Sequence, residues 1–112
     1  MHFKQGDLFW GMDKKFVQEA MDISSKISQE EGDYLFREGD PSTFFYVLLT
    51  GRVMLTLGET GPIVYMARLP GELIGWSALT GREVFSASAK CVEPSNLLKF
   101  SRDEFLKVLH DD

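Results

Sequence analysis

Along this chain of 112 residues the spacing of the apolar positions first changes near residue 23. Met12, Phe16, Val17, Ala20 and Met21 recur at helical intervals, and Asp13 stands where its carboxylate can cap a first turn, so a short helix is predicted ahead of residue 23. From Ile23 onward the period shortens. Gly32, Gly39, Gly51, Gly58, Gly61, Gly71, Gly75 and Gly81 punctuate short apolar stretches rich in Val, Leu, Phe and Tyr, which is the pattern of a β-sandwich or barrel. Phe45, Val47 and Leu49 alternate with Tyr46 and Leu48, Thr50-Gly51-Arg52 turns the chain, and Val53, Leu55 and Leu57 then share a face opposite Met54 and Thr56; the two runs are expected to form a hairpin. Gly58 to Pro62 make the next turn. A third strand is expected over Ile63, Tyr65, Ala67 and Leu69, ending at Pro70-Gly71, a fourth over Val84 to Cys91, and a fifth over Asn96 to Phe100. Between them, Leu73 to Leu79 has no clean period of two and suits a short helical turn. Ser101-Arg102-Asp103-Glu104 is a capping box for a closing helix whose apolar face is Phe105, Leu106, Val108 and Leu109.

Length and charge narrow the function classes. The chain is long enough for one core and too short for two. A formal net charge of -5 leaves no basic footprint, so no direct contact with nucleic acid is expected. No apolar run approaches the roughly 18 residues of a membrane-spanning helix. Nothing near Met1 reads as a secretory signal either, and a cytoplasmic location is expected. Cys91 is the single cysteine and cannot close an intramolecular disulfide; its place in the run Phe85, Ala87, Ala89, Cys91 reads as a small core side chain. A cupin-type metal site needs clustered imidazole and carboxylate ligands, and His2 and His110 lie at the two ends, so no metal is expected. Cys91 and the serines likewise lack a histidine to activate them, while Glu30, Glu31, Asp33, Glu38 and Asp40 flank turn glycines and read as solvated carboxylates. No enzymatic activity is expected.

One segment stands apart. Gly71-Glu72 at a strand end, followed by a short helical turn, places backbone amides where an anion could sit. Together with Glu38-Gly39-Asp40 after Tyr34-Leu35-Phe36, the turn Thr50-Gly51-Arg52-Val53, Gly71-Glu72-Leu73, and Ser86-Ala87, the chain from about Ile27 to Asp112 resembles the cyclic nucleotide-binding domain family. That is the β-roll of catabolite-activator-type bacterial regulators, protein kinase A regulatory subunits and cyclic-nucleotide-gated channels. The resemblance implies that Gly71 to Ala87 is a phosphate-binding cassette for cyclic AMP, cyclic GMP or another small anion. Within it, Glu72 would accept a hydrogen bond from the ribose 2′-hydroxyl, Gly71 and Leu73 would offer backbone contacts, and Ser86 and Ala87 would close the site.

The cation of that family is absent from its usual place, because Phe85 stands directly before Ser86-Ala87 where an arginine is expected. Arg82, three residues earlier, is either a substitute folded inward or an exposed loop residue. Phe85 has a second reading as a core side chain, Glu72 as a carboxylate that only caps the local turn, and Trp76 as a plug of the barrel end in preference to a purine stack. In the family a longer helix follows the last strand, often with dimerisation and a helix-turn-helix; here the chain stops at Asp111-Asp112.

The expected fold is therefore mainly β. It is a β-roll or jelly roll (double-stranded β-helix) of about eight strands, one domain over 1–112, with a helical segment at 1–22, the roll at 23–100 and the start of a C-terminal helix at 101–112. The expected function is a ligand-sensing regulatory domain with weakened or altered cyclic nucleotide binding, needing no cofactor. A second copy or an output domain would be its partner. The alternative is a degenerate roll that binds no nucleotide and serves protein interaction.

Overall fold

A computed structural model describes residues 14–58 and 61–111. Helix α1 (Lys14–Asp22) precedes eight strands: β1 (Ser25–Gln29), β2 (Tyr34–Phe36), β3 (Phe44–Thr50), β4 (Val53–Thr56), β5 (Ile63–Ala67), β6 (Leu73–Ile74), β7 (Ser88–Cys91) and β8 (Ser95–Ser101). A 3-10 turn (Trp76–Leu79) follows β6, and helix α2 (Arg102–Asp111) follows β8. The strands form two antiparallel sheets, ordered β1-β8-β3-β6 and β2-β7-β4-β5. This is the expected mainly-β roll with a helix at either end. The proposed helix cap Asp13 lies outside the described residues.

The run Phe44 to Thr50 is apolar at almost every position because β3 is covered on both faces. Tyr46 and Leu48 point into the roll with Leu35, Phe36, Val53, Ala67, Ile74, Phe85, Ala89, Cys91 and Leu97. Phe45 and Val47 point the other way, into a second cluster with Ala20 of α1, Leu73, Ala78, Leu98, Phe100 and Phe105 of α2. The Phe45 ring stacks on Phe100 at 5.0 Å, and Phe105 meets both edge-on at 5.2 and 6.0 Å. Burying an aromatic ring of this kind contributes about 1.5–3 kcal/mol, so these rings fasten the helices to the sheet.

The expected hairpin over Phe45 to Leu57 is not formed. β3 pairs with β6 and β8, and β4 pairs with β5 and β7, so Thr50-Gly51-Arg52 carries the chain from one sheet to the other. Tight packing of the corner explains the glycine: Gly51 has φ +106°, and a Cβ there would lie 2.6 Å from the Ser95 Cα. Ser95 Oγ accepts from the Arg52 amide at 3.1 Å and so pins the corner to the start of β8. The hairpin that does form is β4–β5. A bulge between Leu55 and Thr56 shifts its register, which buries Thr56 and turns Leu57 out to 48% exposure. As an edge strand, β5 leaves Ile63, Val64 and Tyr65 half-exposed, with Leu69 beyond it.

Four other boundaries differ from expectation, the first being the third strand, which ends at Ala67 and leaves Leu69 outside it. Leu73 and Ile74 belong to a strand paired with β3, and only Trp76–Leu79 is helical. The fourth strand starts at Ser88, and Val84 makes a single bridge to Pro41. The fifth extends from Ser95 to Ser101, and the Ser101 hydroxyl still accepts from the Glu104 amide at 3.4 Å at the start of α2. Among the described residues no helix is long and apolar enough to cross a membrane.

Candidate functional site

The segment Gly71 to Ala87 is built from two arms and a turn between them. In the first arm, the Gly71 amide donates to Leu48 O at 2.7 Å and the Leu48 amide to Glu72 O at 2.9 Å, so the arm is an extension of the β3–β6 ladder. The Glu72 side chain folds back on its own approach. One carboxylate oxygen accepts from the backbone amides of Arg68 and Leu69 at 2.7 and 2.8 Å, and the other from the Tyr65 hydroxyl. Burial pushes the Glu72 carboxyl up. The Tyr65 hydrogen bond, the Leu69 and Arg68 amides and the Arg68 charge outweigh it and hold the group below its ordinary value. Glu72 is buried, and so is Leu73, which packs in the helix-side cluster.

Gly75 then adopts a left-handed conformation, φ 99° and ψ 38°, that starts the 3-10 turn. A Cβ at Gly75 would touch Phe45 and the Phe85 ring at 3.3 Å, so the turn lies directly over both. Its residues split between two sides. Trp76, Ser77 and Thr80 face a cleft, while Ala78 and Leu79 pack with Phe105 and Val108 of α2.

The second arm, Glu83 to Phe85, is zipped to the turn before β3. The Gly39 amide donates to Phe85 O, Phe85 N to Asp40 O, and Ser42 N to Glu83 O, each at 2.9 Å. Held this way, Phe85 points inward. Its ring is buried, stacks on Phe36 with centroids 3.7 Å apart and an 11° tilt, and meets Phe44 edge-on at 5.7 Å. Phe85 is thus a core side chain that also floors the cleft.

The cleft has a volume of about 410 Å³, within the range of small-molecule pockets. Phe36, Leu55 and Phe85 make its floor, Gly75, Trp76, Ser77 and Thr80 one wall, and Arg82, Ser86 and Ala87 the other. Ser77 Oγ and Ser86 Oγ lie 3.5 Å apart, within hydrogen-bonding distance, and join the two walls at that point. Arg82 is exposed and is the one charged residue among the described lining; its carbonyl is tied by the Ser42 hydroxyl, and its guanidinium makes no ion pair among the described residues. Such a cleft offers a flat apolar surface, the three hydroxyls of Ser77, Thr80 and Ser86, and one positive charge. It suits a small ligand with an aromatic or aliphatic part and a single negative charge.

Residues 26–112 match the model of the cyclic nucleotide-binding domain. The chain belongs to that family. It is 30% identical over 108 residues to the cyclic AMP receptor protein of Thermus thermophilus, covering 95% of this chain and 50% of that one. It is 27% identical over 108 residues to the cGMP-dependent protein kinase egl-4 of Caenorhabditis elegans, covering 93% of this chain. The chain therefore spans half the length of the first relative and 14% of the second. The sensor domain of the transcriptional regulator DNR from Pseudomonas aeruginosa has the same fold, with a TM-score of 0.79 at 28% identity over 94% of this chain and 72% of that one.

Within this cyclic nucleotide-binding domain, Arg82, Phe85, Ser86 and Ala87 come together at the cleft, whereas Gly71, Glu72 and Leu73 lie in the first arm and do not line it. Trp76 does not plug the roll; it stands at the rim, 41% exposed, because the 3-10 turn points Ala78 inward instead. Phe36, Leu55, Ser77 and Thr80 were not legible as site residues. Ser77, within the segment Leu73 to Leu79 read as a helical turn, and Thr80 directly after it were the one usable signal. Phe36 and Leu55 reach the cleft only through the pairing of their sheet.

Proposed function

We propose that this domain is a ligand-sensing regulatory module, without catalytic activity, that takes cyclic AMP, cyclic GMP or a related small anion weakly in the cleft beside the 3-10 turn. The observation that carries this reading is Arg82, whose guanidinium has no ion-pair partner among the described residues and stands at the lip of an apolar cleft, with Phe85 buried where the family resemblance expects the phosphate-binding arginine. Arg82 would meet the phosphate, Ser77 and Ser86 its oxygens, and Trp76 the base. Glu72 would accept the sugar hydroxyl once it turns from its present partners. Ligand capture would draw the 3-10 turn over the cleft about Gly75. Because Ala78 shares a buried cluster with Phe105, that movement would be felt by α2 and passed to an output partner or a second copy of the domain. The nature of the charge and of the relatives fits a cytoplasmic regulator that does not itself touch nucleic acid.

Loss of one charge-assisted contact removes about 1.5–3 kcal/mol. That is roughly ten- to a hundredfold in affinity. Calorimetric titration with cyclic AMP and cyclic GMP should accordingly show binding weaker than the low-micromolar range, and Arg82→Ala should weaken it at least tenfold further without altering the melting curve. Nanomolar binding, or indifference to Arg82→Ala, would overturn the reading. Phe85→Arg should raise affinity roughly tenfold or more where the protein stays folded, but it removes a ring stacked on Phe36 and so should also lower stability.

The alternative, a roll that binds no nucleotide and acts in protein interaction, is favoured by the tight Phe85–Phe36 stack and by the three donors already on Glu72. Absence of binding at millimolar nucleotide by both the native chain and a folded Phe85→Arg variant would select it.

A further inference from the structure

All three polar groups of Ser42 are engaged with other segments, and the residue has no exposed surface. Its hydroxyl donates to Arg82 O, its amide donates to Glu83 O at 2.9 Å, and its carbonyl accepts from Arg102 Nη1 at 3.3 Å. The next carbonyl, that of Thr43, accepts from the Arg102 amide at 3.0 Å. One buried serine thus stands between the cationic wall of the cleft and the first residue of α2.

The part of the cleft that Ser42 holds has little else to hold it. Gly81 has φ +83° and open space around it, residues 81–84 are exposed, and the bond from the Ser42 hydroxyl is the one hydrogen bond to Arg82 among the described residues. Without that bond the segment would pivot at Gly81 and carry the guanidinium from the lip of the cleft. On its other side Ser42 is fixed. Its carbonyl is buried, so parting from Arg102 would leave it unpaired, and a shift of the second arm is passed on instead of absorbed. The route runs through backbone groups, one hydroxyl and one guanidinium, and it does not pass through the 3-10 turn.

We infer that Ser42 is a positioning residue of this site: it holds Arg82 at the cleft and links that wall to α2 through Arg102, a second connection beside the buried cluster shared by Ala78 and Phe105. The inference rests on the reading above, in which Arg82 meets the charge of the ligand. Linkage makes the connection reciprocal, so a change at Arg102 is felt as a change in affinity at a cleft that Arg102 does not line.

Two NMR measurements on the 112-residue chain test it. In the unliganded protein, Arg102→Gln should speed hydrogen exchange of the Ser42 and Phe85 amides about tenfold and leave the Leu98 amide of β8 as it was. Rates that are unchanged at all three, or faster at all three alike, overturn the inference without reference to any ligand. In titrations with cyclic AMP, Ser42→Ala should weaken binding about tenfold and Arg102→Gln about threefold, and in an Arg82→Ala background each effect should shrink to within about twofold, because the group being positioned is gone. Full effects in that background, or none in the native one, overturn the inference and leave the nucleotide reading intact. No binding of cyclic AMP by the native chain overturns both.

Discussion

In the sheet β1-β8-β3-β6 the central strand is buried on both faces, by the roll interior on one side and by α1 and α2 on the other. The sheet β2-β7-β4-β5 is packed on its inner face, while the row Tyr34, Lys90, Met54 and Met66 on its outer face is only half-buried and β5 leaves three apolar residues half-exposed. Stability should therefore concentrate in the first sheet, and the capacity to rearrange in the second and in the segments that flank the cleft. The 3-10 turn stands between the two regimes: one side faces the cleft and the other is anchored in the rigid cluster beneath α2. The proposed sensing role would need both, since a signal generated where the structure yields must be delivered where it does not.

The largest effect should separate the two sheets outright. Phe45→Ala removes a fully buried ring from the stack with Phe100 and Phe105, and should lower the urea-unfolding free energy by about 3–5 kcal/mol. Val64→Ala, on the edge of the other sheet, should change it by about 0.5 kcal/mol or less. Comparable losses at the two sites would erase the distinction.

A smaller effect probes the first arm of the cleft segment. Glu72→Gln weakens charge-assisted bonds from Tyr65 and two backbone amides and should cost about 1–2 kcal/mol at neutral pH. Because the folded state holds the Glu72 carboxyl below its ordinary 4.5, the native advantage is fully present above that value and is lost as the pH falls through the lower folded pKa. Paired denaturation curves for the native chain and Glu72→Gln should therefore converge in acid. A gap that persists in acid would mean that the charge of Glu72 does not hold the turn.

The smallest effect concerns two tyrosines, one in each sheet. Burial, and then the neighbouring Cys91 thiol, push the Tyr46 phenol up to about 12, and its hydroxyl donates to Leu35 O at 3.3 Å. Its folded pKa lies above the unfolded 10, so the associated stability is complete below pH 10 and declines as pH rises toward 12. Tyr65 is raised chiefly by its hydrogen bond to Glu72. Ultraviolet titration should show Tyr46 ionising last, with Tyr65→Phe leaving that late step unchanged. A Tyr46 that ionises near 10 in the folded chain would mean that the roll interior admits water.

What was readable in the sequence was whatever depends on near neighbours. The strand-rich pattern after Ile23, the closing helix with its serine cap, the helical turn within Leu73 to Leu79 and the inward Phe85 and Cys91 all follow from spacing and turn chemistry, which act over a few residues. Family membership was legible too, because the glycines of the roll's turns and the Gly71-Glu72-Leu73 and Ser86-Ala87 pieces keep their order along the chain. Partner choice was not. Alternating strands around Thr50-Gly51-Arg52 look the same whether the chain folds back as a hairpin or crosses to a second sheet, and only the approach of Ser95, 44 residues further on, decided for the crossing. Glu72 and Phe85 make the same point at the cleft. The sequence placed both in a cassette, but the donors around Glu72 come from a strand and a turn that precede it, and the ring beneath Phe85 comes from β2. Hydrogen bonds and ring stacking act over a few ångströms, and only the folded chain brings those groups within that distance.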